Sequence, residues 1–265
     1  MKNDLFSIGP FTVHGYGLMI AIGVLSAYYM VEYRAKKKQM DWEKVFPLTV
    51  WSVLGGFLGS KILYLLTRLP DILANPALLG SSIKDGFVVY GGIIGGILTA
   101  WIYCKCTKWN FWKIFDIAMP AVAMAQGFGR IGCLLAGCCY GIELDPANPI
   151  GIVFHNSAYA PNDVALLPTQ IISSVLDFLH FFILLYFVKK WKKNDGQVTG
   201  LFFMLYSAGR FVLEYFRGDL ERGSVGVLST SQFISIFMFI FGAVFFFVLS
   251  KKKAAVSDEE KKQDE

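Results

Sequence analysis

Seven stretches of this chain are long and apolar enough to cross a bilayer, and no other feature limits its fold as strongly. They cover about residues 14–33, 45–66, 87–103, 114–136, 168–188, 198–216 and 232–249. A hydrocarbon core of about 30 Å takes roughly 20 apolar residues of helix. In lipid only helices and closed barrels satisfy their own backbone groups, and runs of this length are helices. The expectation is an all-α polytopic membrane protein with seven transmembrane helices. Composition agrees, with 55% hydrophobic and only 17% charged residues, against about 25% charged in soluble domains. A cytoplasmic globular domain, a disordered chain and a nucleic-acid module with a basic surface are thereby excluded. The 26 glycines suit helices that approach closely. Pro120 and Arg130 interrupt the fourth stretch, so its limits are the least sharply drawn. The first has no cationic leader and no cleavable small-residue site directly after it, and reads as a retained helix, not a signal peptide.

Basic residues orient the chain. Arg34, Lys36, Lys37, Lys38 and Lys44 follow the first stretch. Lys105, Lys108 and Lys113 follow the third, Lys189, Lys190, Lys192 and Lys193 the fifth, and Lys251, Lys252, Lys253, Lys261 and Lys262 the last. Seventeen of the 25 basic residues thus fall on one side, while Lys2, Arg68, Lys84, Arg217 and Arg222 are on the other. By the positive-inside rule the protein is N-out and C-in. Residues 1–250 read as a single transmembrane domain and 251–265 as a charged, solvated cytoplasmic tail. The segment 137–167 carries no Lys or Arg but several Pro and Asn, and long ordered loops of this kind are commonly functional. No internal repeat supports an inverted-repeat transporter.

Ionisable residues inside spans are costly and mark functional sites or structural pairs. Lys61, Asp116, Arg130, Asp177, Arg210 and Glu214 qualify. For Lys61, Asp116 and Asp177 a paired structural charge and a functional one remain equal readings. Arg210, Glu214 and Arg217 fall at i, i+4 and i+7, which on a continuous helix is one face. Their net charge of one positive unit suits an anionic head group. The alternative is a self-contained ion-pair ladder, which is a poor source of stability when it ends with surplus charge. Arg130 lies in Gly127-Phe-Gly-Arg-Ile-Gly-Cys-Leu-Leu-Ala-Gly-Cys-Cys-Tyr-Gly141, where glycines permit local unwinding and backbone N–H groups can cradle a phosphate. His14 and Tyr16 open the first span and Tyr90 the third. Each Tyr alone reads as readily as an interfacial anchor, but Tyr16, Tyr90, Arg130, Arg210, Glu214 and Arg217 are all expected toward the outer face.

Cys104 and Cys106 read as free thiols. Cys133, Cys138 and Cys139 allow three readings: small-residue packing first, then a thiol activated by Arg130, then metal ligation, weakly signalled with no local His or carboxylate. No cofactor motif and no metal site are expected.

In these residues and their order the chain resembles the bacterial prolipoprotein diacylglyceryl transferases. The likeness rests on His14-Gly-Tyr16-Gly17, Tyr90-Gly-Gly92, Gly129-Arg130-Ile-Gly132 through Gly137 and Gly141, Pro168-Thr169-Gln170, Arg210…Glu214-Tyr-Phe-Arg217, and Ser231-Gln232…Ser235. It covers about residues 10–250. The resemblance implies a seven-helix enzyme of the bacterial inner membrane with its site toward the outer leaflet. Such an enzyme transfers diacylglycerol from phosphatidylglycerol to the lipobox cysteine of a prolipoprotein, forming a thioether and releasing glycerol phosphate. The resemblance assigns Arg130 to phosphatidylglycerol binding, has Arg210 and Glu214 line the cavity, with Glu214 orienting an Arg or receiving the thiol proton, and makes Tyr16 essential. Beside these, Tyr90 is expected to be catalytic, and Gly141, His14, Arg217, Cys133 and Cys138 to bind substrate. A phosphate leaving group needs neutralising, and Arg does this.

The chain departs from the family pattern at defined positions. The family commonly reads Gly-Arg-x-Gly-Asn-Phe-x-Asn-x-Glu, where Cys133, Ala136 and Cys138 stand here at the Asn, Asn and Glu places. Tyr90 stands where the family has His. The competing readings are a paralogous lipid transferase with another acceptor, an anionic-lipid transporter without chemistry, and a thiol oxidoreductase built on the outer cysteines.

Overall fold

The computed structural model describes residues 4–263 apart from 10, 85 and 220–222. Lys2 and Arg222, both assigned above to the outer side, lie outside the described residues. A hairpin of β1 (Asp4–Ile8) and β2 (Phe11–His14) leads into α1 (Gly15–Lys37). That helix ends on Arg34, Lys36 and Lys37, cations suited to its carbonyl end. A 3₁₀ turn at Trp42–Lys44 opens α2 (Val45–Thr67). The short α3 (Leu69–Ala74) and α4 (Leu78–Lys84) precede α5 (Val89–Cys106) and α6 (Phe111–Ala136). Next come β3 (Ile152–Val153) and β4 (Ala165–Leu166), which pair antiparallel, then α7 (Thr169–Lys190) and α8 (Gln197–Glu214). A second minimal hairpin, β5 (Ser224–Val225) and β6 (Leu228–Ser229), leads into α9 (Thr230–Gln263).

Among the described residues six helices are long and apolar enough to cross a membrane: Gly15–Lys37, Trp42–Thr67, Val89–Cys106, Phe111–Ala136, Thr169–Lys190 and Thr230–Leu249. The expected sixth stretch is helical as α8 but is not among them. Its buried residues include Gln197, Thr199 and Ser207, and its last turns carry Arg210 and Glu214. The surfaces of the spanning helices are apolar, with Trp51, Phe57, Ile94, Phe182 and Phe237 all exposed. An apolar exterior of this extent belongs in lipid.

The chain forms two compact units, Val31–Ile114 in one and Met1–Met30 with Phe115–Glu265 in the other. In the smaller unit α2 and α5 pack through glycines. A Cβ on Gly59 would sit 2.4 Å from the Gly91 carbonyl oxygen, and one on Gly95 2.3 Å from that of Gly55. Backbones meet here without side chains between them, the small-residue packing that substitutes for a hydrophobic drive in lipid.

In the larger unit Met119, Ala123, Phe181, Leu184, Val198 and Phe202 form a buried core shared by α6, α7 and α8. Asp116, 1% exposed, ties α6 to the start of α8. Its carboxylate accepts hydrogen bonds from Gly196 N (2.8 Å), Thr199 N and Thr199 Oγ1 (both 2.9 Å), and Lys192 Nζ lies 2.8 Å away. Gly196, the cap position, has no side chain to satisfy these N–H groups, so Asp116 caps α8 from another helix. Asp116 is therefore a paired structural charge. The 137–167 segment is ordered, with Phe154, Ala160 and Leu166 forming a small core of their own.

Candidate active site

Arg130 on α6 and Arg210 on α8 line one cavity of about 150 Å³, together with Asp177 and His180 of α7 and Tyr206 of α8. Four leucines, Ile183, Ser173 and Gly209 complete its wall. Helix α7 approaches α6 closely because Gly127 lies against the Phe178 ring and offers its carbonyl to Ser174 Oγ at 3.0 Å. That contact sets Asp177 opposite Arg130, at 3.9 Å from Nε. A separation of this kind gives attraction without a formed hydrogen bond, and no hydrogen bond to the Arg130 guanidinium is present among the described residues.

Arg210 is held from one side only. Its Nη2 lies 2.8 Å from Glu214 Oε2 and 2.9 Å from Ser231 Oγ of α9, while Glu214 Oε1 accepts from Ser229 Oγ at 3.0 Å. The other terminal nitrogen, Nη1, is buried with no hydrogen-bond partner among the described residues. A buried, unmatched guanidinium N–H is costly, and an anionic oxygen in the cavity is the group that would satisfy it. His180 Nε2 is also buried without a partner, its ring stacked 5.0 Å from Phe202. His180 and Tyr206 escaped the sequence reading. A third histidine inside an apolar run was a usable signal for the first; only tertiary packing reveals the second.

The row of Arg210, Glu214 and Arg217 is corrected by the structure. Helix α8 ends at Glu214, so the i+7 residue leaves the helical face. The chain tightens through i to i−3 hydrogen bonds at Tyr215, Phe216 and Arg217 and then pairs Arg217 with Gly141 in a β-bridge. Ile142 N donates to Phe216 O at 3.0 Å, and Gly218 N donates to Tyr140 O at 3.1 Å. Arg217 is 7% exposed and forks onto both carboxylate oxygens of Asp219. Burial opposes its charge, but the hydrogen bonds to Asp219 and Cys139 outweigh that and raise its pKa above an ordinary guanidinium.

Gly141 is required at this crossing. A Cβ there would lie 2.6 Å from the Leu167 carbonyl oxygen and 2.8 Å from Thr169 Cγ2. Nearby, the Sγ atoms of Cys133, Cys138 and Cys139 all lie within 4.8 Å of one another. All five cysteines are unbridged. The neighbouring thiols and Arg217 hydrogen-bond Cys139 Sγ and hold it well below the usual thiol range, whereas the same thiol contacts push Cys138 up. Tyr16 packs on Gly132 of α6, where an added Cβ would be 3.2 Å from its ring, within electrostatic reach of the three cysteines and Arg130.

The remaining expected residues lie elsewhere. His14 is exposed at the end of the first hairpin, its Nδ1 2.6 Å from Asp4 Oδ1. Tyr90 is 45% exposed at the start of α5, in the smaller unit. Lys61 donates to the Ser82 and Gly86 carbonyls within that same unit, a structural role.

The fold and the cavity define a helical membrane protein in which two arginines line one cavity, one of them with an N–H unmatched among the described residues. The chain is a member of the prolipoprotein diacylglyceryl transferase family, whose profile matches residues 3–248. It is 45% identical over 247 residues to the phosphatidylglycerol–prolipoprotein diacylglyceryl transferase of Clostridium tetani, covering 93% of this chain and 97% of that protein. It is 42% identical to a second such transferase from Clostridium perfringens, covering 93% and 94% respectively. A relative of the same description from Dehalococcoides mccartyi is 30% identical, with 91% of each chain covered.

Proposed function

We propose that this protein moves the diacylglyceryl group of phosphatidylglycerol onto the lipobox cysteine of a prolipoprotein in the bacterial inner membrane. The observation that carries this reading is the cavity lined by Arg130 and Arg210, with Arg210 Nη1 left without an acceptor among the described residues. In the reaction the cysteine sulfur forms a bond to the glycerol carbon as the C–O bond to phosphate breaks. Glycerol phosphate leaves with the electron pair, and the thiol proton is lost. Two arginines on the departing phosphate stabilise charge that develops in the transition state, which is where such donors have most effect.

Glu214 is ion-paired with Arg210 through Oε2 and accepts from Ser229 through Oε1, which favours a role in orienting Arg210 over one as the proton acceptor. Tyr16, within electrostatic reach of Arg130, is assigned here to the sulfur side of the reaction, and Tyr90, which stands where the family has His, to a further catalytic role. Arg217, Gly141, Cys133 and Cys138 shape the wall around the substrates, and His14 would meet them at the mouth. The site faces the outer leaflet of a seven-span, N-out and C-in protein acting as one domain over residues 1–250. Here α8 crosses as the sixth span because its charges are paired internally.

Purified protein supplied with labelled phosphatidylglycerol and a lipobox peptide should add the mass of diacylglycerol to the peptide cysteine and release glycerol phosphate. Arg130→Ala and Arg210→Ala should each lower both by about 10²–10³-fold. Absence of the mass gain together with absence of glycerol phosphate would overturn the proposal. Release of glycerol phosphate without peptide modification would point to a different acceptor.

A further inference from the structure

The last turn of α6 and the loop that follows it gather three sulfurs, of Cys133, Cys138 and Cys139, that take no part in the bonds made and broken in the transfer. We infer that Cys133, Cys138 and Cys139 form a binding site for one soft, thiophilic cation, Cu(I) or Zn(II). Metal–thiolate bonds of about 2.3 Å hold ligating sulfurs roughly 3.8–4 Å apart. The three Sγ atoms already lie within 4.8 Å of one another.

The backbone is shaped to bring them there. Gly137 (φ +75°) and Cys139 (φ +62°) both take left-handed conformations, which turn the chain back on the end of α6. A non-glycine residue in that region is strained and persists only when its surroundings hold it. Here Gln170 Nε2 donates to the Cys138 carbonyl at 2.9 Å, and Thr169 Oγ1 donates to the Cys139 carbonyl at 2.8 Å. Cys138 N donates to the Cys133 carbonyl at 3.1 Å. Three independent hydrogen bonds thus fix the loop that presents the sulfurs.

The surroundings fit a charged thiolate site and not simple packing. Arg217 hydrogen-bonds Cys139 Sγ, and Arg130 lies within electrostatic reach of Cys133 and Cys139. Three thiolates around a mono- or divalent ion carry net negative charge, which the guanidinium groups of Arg217 and Arg130 lower locally, although each also faces a carboxylate, Asp219 and Asp177 respectively. Ligand-oriented donors of this kind tune a metal site from outside its coordination shell. Sulfur-only ligation selects soft cations over Mg²⁺ or Ca²⁺, which require oxygen. Cu(I) accepts three thiolates, and Zn(II) would add one water as its fourth ligand.

The test uses the full-length protein in detergent, reduced and stripped by chelation, titrated with Cd²⁺ as a thiophilic probe. One equivalent should bind and produce an ultraviolet thiolate-to-metal band. Cys138→Ser and Cys139→Ser should each weaken binding at least 100-fold, and Cys104→Ser with Cys106→Ser should leave it unchanged. Should a serine variant fail to fold, the unmodified protein supplies the answer by alkylation and peptide mapping. Cd²⁺ must then shield Cys133, Cys138 and Cys139 together. Lack of saturable binding, binding that survives loss of Cys138 or Cys139, or shielding of fewer than these three thiols would each overturn the inference. Metal uptake is read without lipid or peptide, so it fails or succeeds separately from the transfer assay.

Discussion

The helix pair α2 and α5 and the helix trio α6, α7 and α8 solve the same physical problem in opposite ways. In lipid there is no hydrophobic force to press helices together. The pair answers with glycine, bringing Gly55, Gly59, Gly91 and Gly95 into backbone contact. The trio answers with charge, burying Asp116 and Asp177 and holding Arg130, Arg210 and Glu214 partly buried between helices. Glycine contacts are complete in themselves and leave nothing to bind a ligand. Charged contacts are complete at Asp116, which accepts three hydrogen bonds and faces Lys192, but incomplete at Arg210, where one N–H waits. Within one unit, then, a satisfied charge marks structure and an unsatisfied one marks the site.

That contrast can be broken most severely at Asp116. Asp116→Ala leaves Lys192 buried without its main partner and uncaps α8, so unfolding in detergent should become easier by about 3–5 kcal/mol. A melting temperature close to that of the parent would refute the structural assignment. At the incomplete pair the expectation reverses. Arg210→Ala should lower transfer by about 10²–10³-fold, the usual effect of removing one charge-stabilising donor, while melting falls less than in Asp116→Ala, because the Glu214 carboxylate left behind keeps Ser229 Oγ as a donor. If its stability loss matched that of Asp116→Ala, Arg210 would belong with the structural charges.

In the glycine pair, Gly59→Ala drives a methyl group into the Gly91 carbonyl and the backbone of Gly95. Overpacking of this kind costs about 1–3 kcal/mol, measurable as a lower melting temperature. Smallest of all is His14→Ala. Its partner Asp4 is as exposed as the histidine, and such surface pairs are worth less than about 1 kcal/mol. A larger loss of stability would show the first hairpin to be anchored more firmly than its contacts imply.

Hydropathy and helical spacing made much of this legible. The stretches 87–103 and 168–188 emerge as Val89–Cys106 and Thr169–Lys190, because long apolar runs leave a membrane chain few alternatives. The i, i+4 pair of Arg210 and Glu214 was also readable, since a local contact needs only helix geometry. Arg217 was not, because nothing in spacing says that α8 stops three residues earlier; the β-bridge to Gly141 comes from a loop more than 70 residues away in the chain. Arg130 was singled out by its glycines, but its partner Asp177 and the neighbouring His180 depend on how α6 and α7 dock at Gly127. The cysteine trio shows the same limit. Its spacing suggested packing first, whereas two left-handed residues turn the chain so that all three sulfurs meet.

The cap that Asp116 supplies to α8 also orders events in time. Asp116 leaves the ribosome 83 residues before Thr199, whose N–H it will accept. Until then α6 carries an unsatisfied carboxylate near one end of a membrane span, and a lone charge there favours keeping that end at the water interface. Arrival of α8 removes the penalty by supplying two backbone N–H groups and a hydroxyl. The side chain that caps α8 thus joins the helix carrying Arg130 to the helix carrying Arg210, so a change that loosens the cap also reaches the arginine-lined cavity.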